Sequence, residues 1–167
     1  MSTTDEVLRR VSDKYVSLER PDFHWVQSAY ERDPFVDLRR ALSARFEVTD
    51  VTDLNSDVSV GYELTPKVGE GKWTLRLSMV GPYAALIRHA SSTPAEVIVD
   101  GLEDASSLDE AFIAQVSASA GCELLGRELL RTPVELRLFD TAPGRVRVFQ
   151  ALFSDVDFLP GEYDAAP

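Results

Sequence analysis

Residues 58–64 (VSVGYEL) and 73–79 (WTLRLSM) alternate apolar and polar side chains, which is the pattern of β-strands with one buried face. The eight residues between them, 65–72, include one proline and two glycines. Such a composition is typical of a hairpin loop. The two stretches therefore predict an antiparallel hairpin in the middle of the chain.

Further strand patterns lie on both sides of this hairpin. Phe46–Val51 precedes it, and Tyr83–His89 follows it after the tight turn Gly81-Pro82. Glu96–Asp100 is a fifth short strand. Short connections between consecutive strands favour antiparallel pairing, so we expect a meander with one face covered.

Two helices are predicted before the meander. Thr3 and Glu6 have the spacing of a capping box, and apolar residues at helical intervals extend this helix over Thr4–Glu19. Asp33-Pro34 places an N-cap residue before a proline at the first helical position. This second helix is expected to end near Arg45.

One later helix and a final hairpin are predicted after the meander. Ser107 opens a second capping box, and Gly121 is placed to end that helix. Residues 122–130 fit either a short helix or an irregular buried segment. Val134–Leu138 and Val146–Val148 alternate around a turn and predict the hairpin.

The elements together predict a single α+β domain over residues 1–159, followed by a flexible acidic tail over 160–167. We expect a mainly antiparallel sheet of six to seven strands. The two N-terminal helices and the later helix are expected to pack on one face of it. A chain of 167 residues is long enough to bury a core without a metal or a disulfide.

The charge balance is strongly acidic, with 17 Lys and Arg against 28 Asp and Glu and a formal net charge of -11. Nucleic acid and anionic membranes would be repelled, so we expect neither as a partner. The opening residues lack a signal pattern, and no apolar run reaches the roughly 18 residues of a membrane span. We therefore expect a cytoplasmic protein, and the excess of Arg over Lys suggests a bacterial one.

The residues that most often carry catalysis or metals are sparse. His24, His89 and Cys122 are too few and too widely spaced to form a local zinc site. Cys122 is expected to be a small buried hydrophobe, and Asp155 and Asp157 to be solvated surface carboxylates. We expect no catalytic residue, no metal and no cofactor.

The acidic residues are concentrated in two stretches that contain no Lys or Arg, residues 46–66 and 89–126. They hold twelve acidic residues, whereas residues 1–50 are nearly balanced with 8 basic and 10 acidic residues. This pattern predicts an acidic face that steers a basic protein partner. Solubility and helix capping offer an alternative explanation. The face is expected to consist chiefly of Asp100, Glu103, Asp104, Asp109 and Glu110.

Phe23 and Trp25 lie in the connector between the first two predicted helices. Aromatic residues in connectors either anchor an interface or close the core, and the sequence leaves both options open.

The features favour a non-catalytic binding protein. Small size, acidity and the lack of a catalytic motif together resemble immunity proteins, which implies an inhibitor that masks a basic toxin or nuclease-like protein. One alternative is a small-molecule-binding or enzymatic domain that uses the sheet face near Tyr62, Trp73 and Tyr83. A second alternative is a homo-oligomeric subunit that associates through an exposed sheet edge.

Overall fold

An antiparallel sheet organises the structure, a computed structural model that describes residues 1–91, 96–101, 105 and 107–162. The strands within these residues are β1 (Phe46–Asp50), β2 (Ser59–Pro66), β3 (Trp73–Ser78), β4 (Tyr83–His89), β5 (Glu96–Ile98) and β6 (Glu123–Leu124). The helices of the same residues are α1 (Thr4–Tyr15), α2 (Trp25–Glu31), α3 (Val36–Leu42), α4 (Leu108–Ser119), α5 (Arg127–Leu130) and α6 (Val148–Leu152). None of these helices is long and apolar enough to cross a membrane.

The sheet has the predicted meander at its centre. Strands β1 to β5 lie in chain order and pair antiparallel, with Leu64 opposite Trp73 in the central hairpin. Strand β6 pairs parallel with the first residues of β4, and β5 pairs with the last residues of β4. The α+β class and the mainly antiparallel sheet are thus confirmed.

Apolar side chains lie on both faces of the sheet. Along β4, Ala84 and Leu86 belong to one buried cluster, whereas Tyr83, Ala85 and Ile87 belong to another, as alternation in a strand requires. Helices α3 and α4 contribute side chains to the first cluster, and α1, α5 and α6 contribute side chains to the second. The helical cover therefore extends beyond the single face that the sequence predicts.

The first helix begins as predicted but is shorter. The Thr3 amide donates to Glu6 Oε2 at 2.7 Å, and the Glu6 amide donates to Thr3 Oγ1 at 3.3 Å, which completes the capping box. The helix ends at Tyr15 instead of Glu19, because Val16 adopts φ 66° and ψ -44°. These angles, with the Ser17 amide donating to the Tyr15 carbonyl at 2.7 Å, form a γ-turn.

The remaining helices differ from the prediction mainly at their ends. Residues 25–31 of the aromatic connector form α2, and the helix expected from Asp33-Pro34 begins at Val36. In α4, Ser107 Oγ accepts from the Glu110 amide at 3.2 Å, and Gly121 follows the helix with φ 79°. The ambiguous residues 122–130 contain β6 and the single turn α5.

The predicted C-terminal hairpin is wrong. One bridge joins Pro133 to Arg147, and residues 134–138 are not a strand. Val148–Leu152 is a helix instead, and the Arg147 amide donates to Gln150 Oε1 at 2.8 Å at its start. The alternation in residues 134–138 has another cause: Val134 and Leu136 are buried in the core, whereas Glu135 is exposed.

The described part of the predicted tail packs against the domain. Pro160 is buried, and Glu162 Oε1 lies 3.5 Å from Arg131 Nε. Residues 163–167 lie outside the described residues.

Candidate functional site: an exposed aromatic surface

The two histidines have separate hydrogen-bond partners, and the cysteine is buried in the core. His24 Nδ1 lies 2.7 Å from Asp22 Oδ1, and His89 Nε2 lies 2.8 Å from Thr74 Oγ1. Cys122 is buried, and desolvation raises the pKa of its thiol. In the described part of the chain, no group of three or more His, Cys, Asp or Glu residues could hold a metal ion.

Two members of the predicted acidic face are paired with arginines from other segments. Asp109 Oδ1 lies 2.7 Å from the Arg45 guanidinium, and Asp100 Oδ1 accepts from the Arg127 amide at 2.6 Å. Asp100 Oδ2 is also 3.6 Å from Arg127 Nε. Both carboxylates are therefore partly neutralised where they lie. Glu103 and Asp104 lie outside the described residues.

Glu110 does not lie on a surface, which corrects its assignment to the acidic face. Its side chain is 0% exposed. Arg88 donates to its two carboxylate oxygens at 2.5 and 2.7 Å, and Trp73 Nε1 donates to Oε1 at 2.8 Å. Because Ser107 caps α4, Glu110 lies in the first helical turn, from which its side chain reaches the sheet. Glu110 is the buried member of a structural ion pair with Arg88.

Two carboxylates of the other acidic stretch are neutralised across the sheet. Asp57 Oδ2 lies 3.1 Å from Arg76, and Glu63 Oε2 lies 3.0 Å from Lys72. The basic partners are Arg76 in β3 and Lys72 just before β3. Both lie outside residues 46–66, which contain no Lys or Arg. Both acidic stretches are therefore partly neutralised by basic residues from other parts of the chain.

The sheet face proposed for a ligand pocket is filled. Tyr62, Trp73 and Tyr83 are all buried, with Tyr62 and Trp73 in one core cluster and Tyr83 in the other. Because the clusters lie on opposite faces of the sheet, the three side chains do not line one cavity. This corrects the expectation of a shared pocket near them.

A pair of aromatic side chains, Phe23 and Phe139, forms what we call the aromatic ridge. Phe139 is 84% exposed, and its ring centroid lies 5.5 Å from that of Phe23. Phe23 is half-buried and packs edge-on against Tyr15 at 5.4 Å. The ridge thus runs from the core outward into solvent.

Trp25 supports the base of the ridge from a second direction. Its ring lies 6.1 Å from that of Tyr15, and the Lys14 ammonium lies 4.3 Å from its centroid. Its Nε1 donates to the Asp22 carbonyl at 2.8 Å. The sequence left open whether Phe23 and Trp25 belong to the core or to an interface. Both pack on the core and keep part of their surface exposed.

Asp155 fixes the backbone that carries Phe139. Its carboxylate accepts the amides of Phe139 and Asp140 at 2.8 Å each and the amide of Thr141 at 2.7 Å. The Thr141 hydroxyl donates to the same carboxylate at 2.7 Å. Asp155 is buried, with 9% exposure, so the expectation of a solvated carboxylate is wrong for it, whereas Asp157 is exposed.

Cavities adjoin the aromatic ridge. Phe23 and Phe139 help to line one cavity of about 280 Å³ together with Leu54, and another of about 220 Å³ together with Arg137. A longer groove of about 720 Å³ continues from there along residues 133–137. An exposed aromatic pair between concavities is suited to bind a protein surface with matching protrusions.

Sequence reasoning missed Phe139, although one local signal marks it. Apolar residues alternate at Val134, Leu136 and Leu138, and Phe139 then breaks the alternation as a second consecutive apolar residue. A strand with one buried face cannot bury both neighbours, so one of them must face solvent or a partner.

Comparison with known proteins gave no relatives: no family model, no curated protein and no solved structure matches this chain.

Proposed function

We propose that this chain is a non-catalytic protein-binding domain that binds a basic protein through the aromatic ridge. The observation that carries the proposal is the exposure of Phe139 on a loop held by four hydrogen bonds to Asp155, three from backbone amides and one from the Thr141 hydroxyl. A large apolar side chain in water gains free energy when a partner covers it. A backbone that is already ordered loses little further entropy on binding.

The charge of the chain supports a basic partner. The net charge of -11 attracts basic proteins at long range and speeds their association. Exposed Asp22 and Asp140 are chain neighbours of Phe23 and Phe139, whereas the cavity of about 220 Å³ beside the ridge is lined by Glu19 together with Arg20 and Arg137. The resemblance to immunity proteins in size and acidity fits an inhibitor that covers a basic toxin or nuclease-like protein.

The proposal is tested by site-specific photocrosslinking in the native host. A photoreactive phenylalanine analogue replaces Phe139 in one variant and Val68 in a control variant. Val68 is 89% exposed in the β2–β3 loop, so both probes are equally accessible. We expect position 139 alone to crosslink one basic protein, identified by mass spectrometry.

The identified protein is then purified and titrated against the wild-type chain and Phe139→Ala. A loss of affinity of at least about tenfold, with binding that weakens as salt rises, is expected for an aromatic anchor and a charged partner. Equal crosslinking from positions 139 and 68, or none from 139, contradicts the proposal. An identified partner of acidic charge contradicts its electrostatic part.

A further inference from the structure

Residues 134–138 alternate between more and less buried side chains, as an extended chain does, and most of their backbone groups are unpaired. The Val134 amide donates to the Val146 carbonyl at 3.0 Å, and the Arg137 amide donates to the Leu18 carbonyl at 2.9 Å. In the described part of the chain, the amides of Glu135, Leu136 and Leu138 have no hydrogen-bond acceptor, and the carbonyls of residues 134–138 accept none. Apart from these two hydrogen bonds, the segment therefore offers the backbone donors and acceptors of an unpaired strand edge.

The groove of about 720 Å³ lies beside this segment. Its apolar lining includes Leu18, Pro133 and Pro143. Its charged residues are Glu19, Glu135 and Arg137, and within the described residues none of the three forms an ion pair. Open backbone groups, apolar walls and free charges together fit a peptide better than a small apolar ligand.

The unpaired backbone indicates the shape of the occupant. In a strand, the amides of alternate residues point to the same edge, so the Leu136 and Leu138 N–H groups lie on the edge where Val134 bonds Val146, past the point at which that pairing ends. Only an extended chain can match these groups in register, because a helix satisfies its own backbone groups.

The charges indicate which extended chain fits. Two glutamates against one arginine in the groove favour a segment with Lys or Arg side chains. A second copy of this chain would bring a second charge of -11, which opposes pairing through the same edge. The groove also shares Glu19 and Arg137 with the cavity at the aromatic ridge, so one partner can reach both.

We propose that the basic protein partner inserts an extended segment into this groove, where it pairs as an added β-strand with residues 136–138, beyond the Val134–Val146 hydrogen bond. This inference rests on the proposed function and specifies the partner's binding mode. Backbone hydrogen bonds would supply affinity, and Lys or Arg side chains near Glu19 and Glu135 would supply selectivity.

The test uses a displayed library of random 12-residue peptides selected against the full chain. We expect the enriched peptides to carry a net positive charge and alternating apolar residues. When bound, they should slow hydrogen exchange of the Leu136 and Leu138 amides at least about tenfold. N-methylation of alternate peptide amides removes the donors for the ladder and should weaken binding by at least about tenfold.

A charge-reversed pair of variants adds a second measurement. Glu135→Lys should weaken the selected peptides at least about fivefold, whereas Glu47→Lys should leave their affinity unchanged. Both residues are exposed, and neither forms an ion pair with another described residue, so both variants are expected to fold.

Several outcomes would overturn the inference. These are the absence of enriched peptides, protection of amides outside residues 134–138, and full affinity of N-methylated peptides. Protection of Leu136 and Leu138 by the chain's own self-association would identify a second copy as the occupant. If the Phe139 probe crosslinks a basic protein but the peptides fail, the proposed function stands and only the added strand is refuted. Peptide pairing without crosslinking refutes the proposed use of the ridge instead.

Discussion

The carboxylate of Asp155 lies inside the molecule and binds the backbone amide of Phe139 at 2.8 Å, while the Phe139 ring is 84% exposed outside. One buried charge thus orders the loop that presents the most exposed aromatic side chain among the described residues. The arrangement differs from ordinary core packing, because the stabilising contacts hold the backbone and leave the ring uncovered. Stability and binding at this loop should therefore respond to different substitutions.

Asp155→Asn should lower the free energy of unfolding by about 3 kcal/mol, because an asparagine amide group turns donors toward backbone N–H groups that need acceptors. Chemical denaturation measures the change. Asp157→Asn is the matched control, since Asp157 is exposed two residues away and should change stability by less than about 0.5 kcal/mol. Equal effects of the two substitutions would show that the loop does not depend on the buried carboxylate.

Phe139→Ala should leave the free energy of unfolding within about 0.5 kcal/mol of wild type, because the ring is largely in water already. Phe149→Ala, the same change at a residue that is 1% exposed, should cost about 3 to 5 kcal/mol. Denaturation curves of both variants test the contrast. A large loss in the free energy of unfolding for Phe139→Ala would show that Phe139 is a core residue and would remove the basis for its binding role.

Glu110→Gln and Asp109→Asn remove one charge each from adjacent residues with very different surroundings. Glu110→Gln should cost about 3 kcal/mol, because it leaves the Arg88 guanidinium without its buried partner. Asp109→Asn should cost less than about 1 kcal/mol, because its pair with Arg45 is partly exposed. Thermal or chemical unfolding of the two variants distinguishes them, and similar losses would contradict the assignment of Glu110 to the interior.

Local patterns predicted much of the fold because their causes are local. Alternation in residues 58–64 and 73–79 reflects side chains that point to opposite faces of the sheet, although both faces are largely buried. The Thr3–Glu6 box depends on atoms three residues apart. The same alternation gave a wrong strand prediction at residues 134–138, where the core covers the apolar side chains but no strand pairs with the backbone. Periodicity reports burial, and it does not report a hydrogen-bonded neighbour.

The candidate site was less predictable because its contacts join distant residues. Asp109 pairs with Arg45 and Asp57 pairs with Arg76, so a stretch without basic residues need not be an acidic surface. Asp155 and Phe139 are 16 residues apart, and nothing in the sequence links a buried carboxylate to that loop. Phe23 and Trp25 were the residues of the site that the sequence predicted as possible interface aromatics, from their place in a connector.

The stability of the fold should fall in alkali because of buried tyrosines. Burial raises the pKa of Tyr62 to about 12 from its ordinary value of 10.0. Between these values the folded chain keeps the proton and the unfolded chain loses it, so stability declines as the pH rises from about 10 to about 12. Burial also raises the pKa of Tyr15, whose hydroxyl donates to the Ala151 carbonyl at 2.7 Å.

Tyr62→Phe removes one of these titrating groups and should make the decline between pH 10 and pH 12 shallower. Free energies of unfolding from urea titrations at several pH values measure it. Tyr30→Phe is the comparison: the hydrogen bond to Asp50 at 2.9 Å also raises the pKa of Tyr30, but Tyr30 is only partly buried, so this variant should flatten the decline less. Identical slopes for wild type and Tyr62→Phe would contradict the assigned burial.

The γ-turn at Val16 predicts that a glycine substitution stabilises the fold. A β-branched residue is strained at φ 66°, and Val16 is 78% exposed, so its side chain contributes little packing in return. Val16→Gly should therefore raise the free energy of unfolding by about 1 kcal/mol, even after the added entropy of glycine in the unfolded chain. Val68→Gly is the control, since Val68 is similarly exposed but does not have a positive φ, and it should lose about 0.5 kcal/mol. Denaturation curves that show both glycine variants equally destabilised would mean that the backbone of Val16 is not strained.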